Sequence, residues 1–261
     1  MNKLIIVEGL PCSGKSTTSK YIADRLNAQF FDENSGIHPA DYEFHSFITN
    51  DELSKFSNDE QNLIKTDSVQ KFDGYIVKLK NYKGDLFDRL LKYKIYDFLP
   101  WEIEKPIMLD KWLEFVNSIA PNDRYVFNCV LLQNPMCETM MRFGYDKAVS
   151  AKYIGDICSI IKPLEPLVVY LQYDNIRTEI EKAVSERGLD WLNGVIEYHC
   201  NGMYGRTNQL KGFDGYITAL EERQRRELEI LQSLNVQYII LDNPNNDWEK
   251  SYSEIISKLD C

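Results

Sequence analysis

Eight residues near the amino terminus, Gly9-Leu10-Pro11-Cys12-Ser13-Gly14-Lys15-Ser16, have the types and spacing that can wrap a chain of phosphates. Gly9 and Gly14 allow backbone torsions and close approaches that a β-carbon forbids. Successive N–H groups can then point inward as an anion nest, at the positive end of the helix that follows. Lys15 is placed to reach the β- and γ-phosphates of a nucleoside triphosphate, and the Ser16 hydroxyl to fill one coordination position of Mg²⁺. Pro11, Cys12, Ser13 and Thr17 complete the expected lining. Cys12 reads as a small residue that fits, with a redox-sensitive thiol as the alternative.

Further chemistry-bearing residues follow at intervals. Asp32 and Glu33, with His38 and Asp41 beyond them, offer carboxylates that can accept the proton of an attacking hydroxyl, orient that hydroxyl, or hold Mg²⁺ through water. His38, in a loop before a proline, equally reads as an exposed residue without a role. Gln133 and Arg142 are candidates to bind an acceptor, Arg142 above all if the acceptor carries a phosphate. Arg187 and Arg206 lie in a glycine-containing stretch, where a mobile arginine suits the spread charge of a transferring phosphoryl group. Arg187 also fits a plain favourable position at a helix C-terminus. Arg223, Arg225 and Arg226 sit among glutamates. Glu221 to Arg225 and Glu222 to Arg226 have the spacing of surface ion pairs, which leaves Arg223 as a substrate-binding candidate.

The elements that must position these groups are legible in outline. Leu4-Ile5-Ile6-Val7 reads as a buried parallel strand, and Ser16 to Asn27 as a helix. Ala28 to Glu33 reads as a short strand ending in the two acids. Tyr125 to Leu132 reads as a long apolar strand with Asn128 in its interior, and no carboxylate at its end. Leu167 to Leu171 and Val236 to Leu241 complete five strands, the last followed by Asp242-Asn243-Pro244, a weak candidate for a base-binding loop. Strands separated by helices imply a parallel sheet covered on both faces, with ligands at the carboxyl ends of the strands.

The segment 41–121 reads as mostly helical. Thr49-x-x-Glu52 and Ser57-x-x-Glu60 look like capping boxes, Asp85 to Phe98 like one helix, and Pro106 like the opening of another. Its aromatics, among them Tyr42, Tyr75, Tyr82, Tyr96, Trp101 and Trp112, suit either an ordinary core or the wall of an acceptor pocket. The segment 189–211 reads as a mobile loop around a short helix, on account of Gly194, Gly202 and Gly205.

Composition narrows the partners. Among 261 residues, 40 acids against 30 lysines and arginines give a net charge of -10, which argues against a nucleic-acid surface. No apolar stretch has the length to span a bilayer, and no signal peptide is read at the amino terminus. Six cysteines without a C-x-x-C pair read as free thiols in a reducing cytoplasm. The three scattered histidines do not suggest zinc.

The run Val7-Glu8-Gly9-Leu10-Pro11-Cys12-Ser13-Gly14-Lys15-Ser16-Thr17-Thr18 resembles the P-loop kinases of small molecules, thymidylate kinase-like proteins most of all. Ser185-Glu186-Arg187-Gly188-Leu189-Asp190 is similar to that family's lid entry, and Glu222-Arg223-Gln224-Arg225 to its following helix. The resemblance implies a five-stranded parallel sheet of order 2-3-1-4-5 between helices, ATP in the loop, and the acceptor between the ends of the second and third strands. It implies roles for Lys15, Ser16 and Arg187. The chain lacks the family's Asp-Arg pair after the third strand and has a longer segment between the second and third.

The expectation is thus one P-loop kinase-like domain over residues 1–261, with a helical acceptor-binding insertion at 41–121 and a candidate lid at 187–212. Lys15, Asp32, Glu33 and Arg187 would be catalytic, Ser16 the metal ligand, and His38, Gln133, Arg142, Arg206 and Arg223 substrate-binding. ATP and Mg²⁺ are the expected cofactors. The partners would be a small-molecule acceptor and at most a second copy of the chain, with no nucleic acid and no membrane. Two alternatives stand beside a kinase of nucleotides or nucleosides: an antibiotic or nucleotide-sugar kinase, and a nucleotide-binding regulator without turnover.

Overall fold

A computed structural model describes residues 2–33, 35–242 and 247–259. Asn243 and Pro244 of the expected base-binding loop lie outside the described residues. The described strands are β1 (Leu4–Gly9), β2 (Gln29–Phe31), β3 (His45–Thr49), β4 (Ser68–Lys71), β5 (Gly74–Lys78), β6 (Tyr125–Asn128), β7 (Leu167–Gln172) and β8 (Gln237–Asp242). The chain divides into two compact units, one of Met1–Ser35 with Trp112–Cys261 and one of Gly36–Lys111.

In the first unit β2, β6, β1, β7 and β8 lie side by side in that order, every pair parallel. Counted among themselves, the five strands run 2-3-1-4-5, the expected order. Ile5, Val7, Val126, Val169, Leu171 and Ile239 form the core cluster on this sheet. β-branched and leucine runs without alternation build such strands because helices bury both faces.

One strand is shorter than its sequence suggests. Tyr125 to Leu132 is apolar almost throughout, yet β6 ends at Asn128, and Cys129 (φ 58°) and Val130 (φ 84°) turn left-handed. The chain leaves the sheet there because Glu8 of β1 takes up the next backbone N–H groups (below). Asn128 therefore stands at the carboxyl end of its strand, not inside it.

The stretch read as a mobile loop is instead two helices, Leu189–Cys200 and Met203–Thr207. Two of its glycines serve close packing. A β-carbon on Gly205 would stand 2.2 Å from the Cys200 carbonyl oxygen, and one on Gly202 would stand 2.1 Å from that of Met141.

The second unit corrects the expectation of mostly helix. It holds an antiparallel sheet of order β3-β5-β4. β4 and β5 are joined by Phe72 and Asp73, with Phe72 left-handed at φ 52°. Both expected capping boxes are present and open the helices Asn50–Leu53 and Asn58–Asp67. Ile48, Leu53, Phe56, Ile64, Val77 and Leu90 form this unit's own core. Tyr42, Tyr82 and Trp101 are buried, as core aromatics would be. The stretch read as one helix over 85–98 is a helix only from Gly84 to Leu91, because Tyr96 and Asp97 have non-helical torsions. Pro106 does not open a helix but lies inside one, Trp101–Ser118, which starts against the Pro100 carbonyl.

Close packing at Gly74 gives a direct test of this sheet. A β-carbon there would stand 2.1 Å from the Ile48 carbonyl oxygen, whereas one on helical Gly194 meets nothing within 4 Å. Gly74→Ala should cost about 1–3 kcal/mol and lower the melting temperature. Gly194→Ala should leave the melting temperature unchanged or raise it.

Candidate phosphate-binding site

The loop after β1 is built as an anion nest. At Gly9 (φ 145°) a β-carbon would stand 2.6 Å from the Leu171 carbonyl oxygen, so the bend requires glycine. Cys12 (φ 65°) and Gly14 (φ 90°) are left-handed, a pattern that turns successive N–H groups inward. The Ser13 N–H donates to the Leu10 carbonyl at 3.3 Å, and the Tyr173 hydroxyl donates to that of Pro11 at 3.2 Å. The helix that follows, Lys15–Leu26, has no acid in its first turn to neutralise its positive end. Lys15 is buried, and its ammonium donates to the Leu10 carbonyl at 3.0 Å. Burial pushes the Cys12 thiol pKa up, against the pull of the Arg187 and Lys15 charges.

Beside the loop three side chains from three elements converge. The Asn128 amide donates to Ser16 Oγ at 2.9 Å and to Asp32 Oδ1 at 2.5 Å, and Ser16 Oγ donates to Asp32 Oδ1 at 3.3 Å. Asn128 Oδ1 is buried and has no hydrogen-bond partner among the described residues. The hydroxyl of Ser16 and the carboxylate of Asp32 are hard oxygen donors, held side by side by the Asn128 amide nitrogen. They fit Mg²⁺, which takes one or two protein groups and fills its shell with water and substrate phosphates. No group of three or more His, Cys, Asp or Glu that could hold a metal occurs among the described residues.

The next residue along, Glu33, accepts at Oε1 from the Gln133 amide at 2.8 Å. Gln133 is in turn set by a group that sequence reasoning passed over. Glu8, fully buried in β1, accepts from the backbone N–H groups of Leu131 and Leu132, each at 2.8 Å, and from that of Gln133 at 3.1 Å. These bonds hold the strained turn at Cys129 and Val130 against the strand that feeds the loop. Burial raises the Glu8 pKa to about 7, the bond from Leu132 opposes this, and the charge of Glu227 adds to the rise. The available signal was an acid in an otherwise apolar strand, one residue before Gly9.

The remaining candidates fall in different places. Arg187 is exposed at a helix end, over the Trp191 ring at 5.4 Å, and its charge is felt at the Cys12 thiol. Arg142, in a π-helical turn, pairs with buried Glu138 at 2.6 Å. Arg206 is exposed on the Met203–Thr207 helix. Arg223 is almost wholly buried, with Nε on Glu227 at 2.6 Å and Nη1 at 3.8 Å from Cys137 Sγ, while Tyr170 donates to Glu227 at 2.6 Å. The expected Glu222–Arg226 pair is present at 2.7 Å, and Arg225 pairs with Glu222 and Glu229. His38 belongs to the second unit and is buried, not exposed; its Nδ1 accepts from the Ala40 N–H at 3.2 Å.

A strand–glycine loop–helix unit at the centre of a parallel sheet of this order settles the architecture. The fold is an α/β fold, a five-stranded parallel sheet with a strand–glycine loop–helix unit at its centre. No protein-family model matches the chain, and no curated protein sequence does. Among solved structures it is similar to deoxyadenosine kinase from M. mycoides with bound dATP, at 17% identity and a TM-score of 0.46, covering 99% of this chain and 100% of that one. It is similar to the YorR protein from Bacillus subtilis in complex with phosphorylated GDP, at 17% identity, TM-score 0.45 and coverage of 98% and 95%. Thymidylate kinase from Candida albicans matches at 12% identity, TM-score 0.42 and coverage of 99% and 92%. No helix among the described residues is long and apolar enough to cross a membrane.

Glu8 makes stability depend on pH in a definite direction. Its folded pKa is raised from 4.5 to about 7, so the stability it contributes is complete below pH 4.5 and is lost as pH rises through about 7. Melting temperatures recorded from pH 4 to 8 should show this loss, and Glu8→Gln should remove that part of the dependence.

Proposed function

We propose that this chain is an ATP- and Mg²⁺-dependent phosphotransferase acting on a small-molecule acceptor of the nucleoside or nucleotide class. The observation that carries the reading is the pairing of an anion nest holding buried Lys15 with two oxygen donors, Ser16 and Asp32, which the Asn128 amide holds together directly beside it. A nest alone binds phosphate; a nest with adjacent Mg²⁺-type donors suits a triphosphate that is to be split.

In this reading Lys15 exchanges the Leu10 carbonyl for the β- and γ-phosphates and neutralises charge that builds during transfer. Ser16 and Asp32 would hold Mg²⁺, which would supply neutralisation of phosphate charge. Asn128 holds Asp32 against Ser16, which assigns Asp32 to the metal side and stands in for the carboxylate missing from the end of β6. Glu33, oriented by Gln133, is then the acid left to take the acceptor's proton. The acceptor oxygen forms a bond to the γ-phosphorus, the bond to the β–γ bridging oxygen breaks, ADP leaves, and the hydroxyl proton passes to the Glu33 carboxylate. Arg187 closes over the phosphates from the segment 187–212.

Phosphoryl transfer from ATP to a panel of nucleosides, nucleotides, nucleotide-sugars and antibiotics tests this directly. Asp32→Asn should lower kcat by about 10²-fold or more and raise the Mg²⁺ concentration needed for half-maximal rate. Glu33→Gln should lower kcat by about 10²-fold with the Mg²⁺ requirement unchanged. Tight Mg–ATP binding without transfer to any acceptor would replace the kinase reading with that of a nucleotide-binding regulator.

A further inference from the structure

The carboxyl end of β7 is fastened twice, once to a helix and once to the glycine loop. β1 and β7 stay in register as far as Gly9 and Leu171, and the loop leaves the sheet there. Tyr173 follows one residue after the end of β7, and its backbone is bonded there by a side chain. Gln224, on the helix Gly212–Ser233, accepts from the Tyr173 N–H at 3.0 Å through Oε1 and donates from Nε2 to the Tyr173 carbonyl at 2.9 Å. The fork uses both ends of an amide that is itself buried, which fixes the end that faces each backbone group.

With its backbone clamped, Tyr173 has little freedom left. Its ring is buried in one cluster with Leu10 of the loop and with Ile176, Ile180, Tyr216 and Leu220. Its hydroxyl donates to the Pro11 carbonyl at 3.2 Å. Burial pushes the phenol pKa up, so the proton that makes this bond stays in place across the neutral range. The bond acts on the loop through a rigid plane. In a trans peptide such as Pro11–Cys12, the C=O and the N–H point in opposite directions. A carbonyl drawn toward Tyr173 therefore turns the Cys12 N–H away from Tyr173. Pro11 brings no N–H of its own, so the direction of the next one matters more. Cys12 also carries a left-handed φ of 65°, which a residue other than glycine keeps when its surroundings impose it.

We propose that Tyr173 is a positioning residue of the glycine loop: its hydroxyl holds the Pro11–Cys12 peptide so that the Cys12 N–H faces a bound phosphate, and Gln224 holds Tyr173. The inference rests on the reading of the loop as a phosphate site and adds the part that keeps one of its donors turned inward. Both residues act through the loop and not on the ligand. The helix Gly212–Ser233 is thereby tied to the loop through a single tyrosine.

Calorimetry on the full chain, with pyrophosphate and with Mg–ATP as probes, tests the role without turnover. Tyr173→Phe removes the hydroxyl and keeps the ring, and should weaken pyrophosphate binding about three- to tenfold. Gln224→Met should weaken it by a similar factor in the wild-type chain, but by less than about twofold in the Tyr173→Phe chain, because its effect passes through the hydroxyl. The Cys12 amide gives a separate readout by nuclear magnetic resonance. Its signal should shift when pyrophosphate is added to the wild-type chain; in Tyr173→Phe that shift should largely disappear while the shift of the Gly14 amide remains. Wild-type affinity retained in Tyr173→Phe, whether or not the urea midpoint falls, would overturn the proposal. So would equal Cys12 shifts in the two chains, or the full Gln224→Met loss in the Tyr173→Phe chain. A wild-type chain that binds neither probe would overturn the phosphate-site reading, and the positioning role with it.

Discussion

A single buried carboxylate ties the working parts of the first unit together. Glu8 lies in the strand that leads into the glycine loop, and its oxygens take three backbone N–H groups from the turn after β6. Those bonds, with that from the Cys129 N–H to the Val7 carbonyl, fix the turn in which Cys129 and Val130 are left-handed, a torsion that a β-branched residue adopts only under constraint. That turn stops the strand at Asn128 and presents Gln133 to Glu33. One side chain thus sets the geometry of the loop's neighbour, the metal-type donor set and the candidate base at once. Its cost is the burial of an acid near Glu227, which is why its protonation is displaced so far.

The pair Arg223 and Glu227 shows a different solution to the same problem. Both are essentially inaccessible to solvent, and Tyr170 completes the carboxylate's bonding. Breaking such a cluster on one side leaves a charge buried without its counterpart, which costs far more than the pair itself contributes. The polar interior behind the loop is therefore intolerant of substitution at either member of the pair.

How much of this was legible in the sequence depended on the range of the interaction. The glycine loop was legible because its chemistry is its spacing. The two capping boxes were legible because cap and third residue are near neighbours in the chain. The end of β6 was not, since Tyr125 to Leu132 carries no local stop; what ends the strand is Glu8, more than a hundred residues away. The role of Asn128 disappeared with it, because a polar residue inside a strand and one at its tip call for different readings. The sheet of the second unit was hidden by short strands with charged edges, such as Val69-Gln70-Lys71, which lack a clear period. The burial of Arg223, read from the sequence as a substrate-binding candidate, was not legible because Tyr170, which bonds its partner Glu227, lies on another element.

The lysine of the glycine loop has a consequence for recognition. Its ammonium is engaged by the Leu10 carbonyl, and Cys12 and Gly14 hold left-handed torsions that turn N–H groups inward. Under the proposed function, an anion would replace the Leu10 carbonyl as the partner of Lys15 on a backbone that already has these torsions. Little ordering entropy remains to be lost, so affinity is set by how much better an anion satisfies the ammonium than the carbonyl does. On that proposal a neutral ligand would offer no such gain, and the loop would select by charge before it selects by shape.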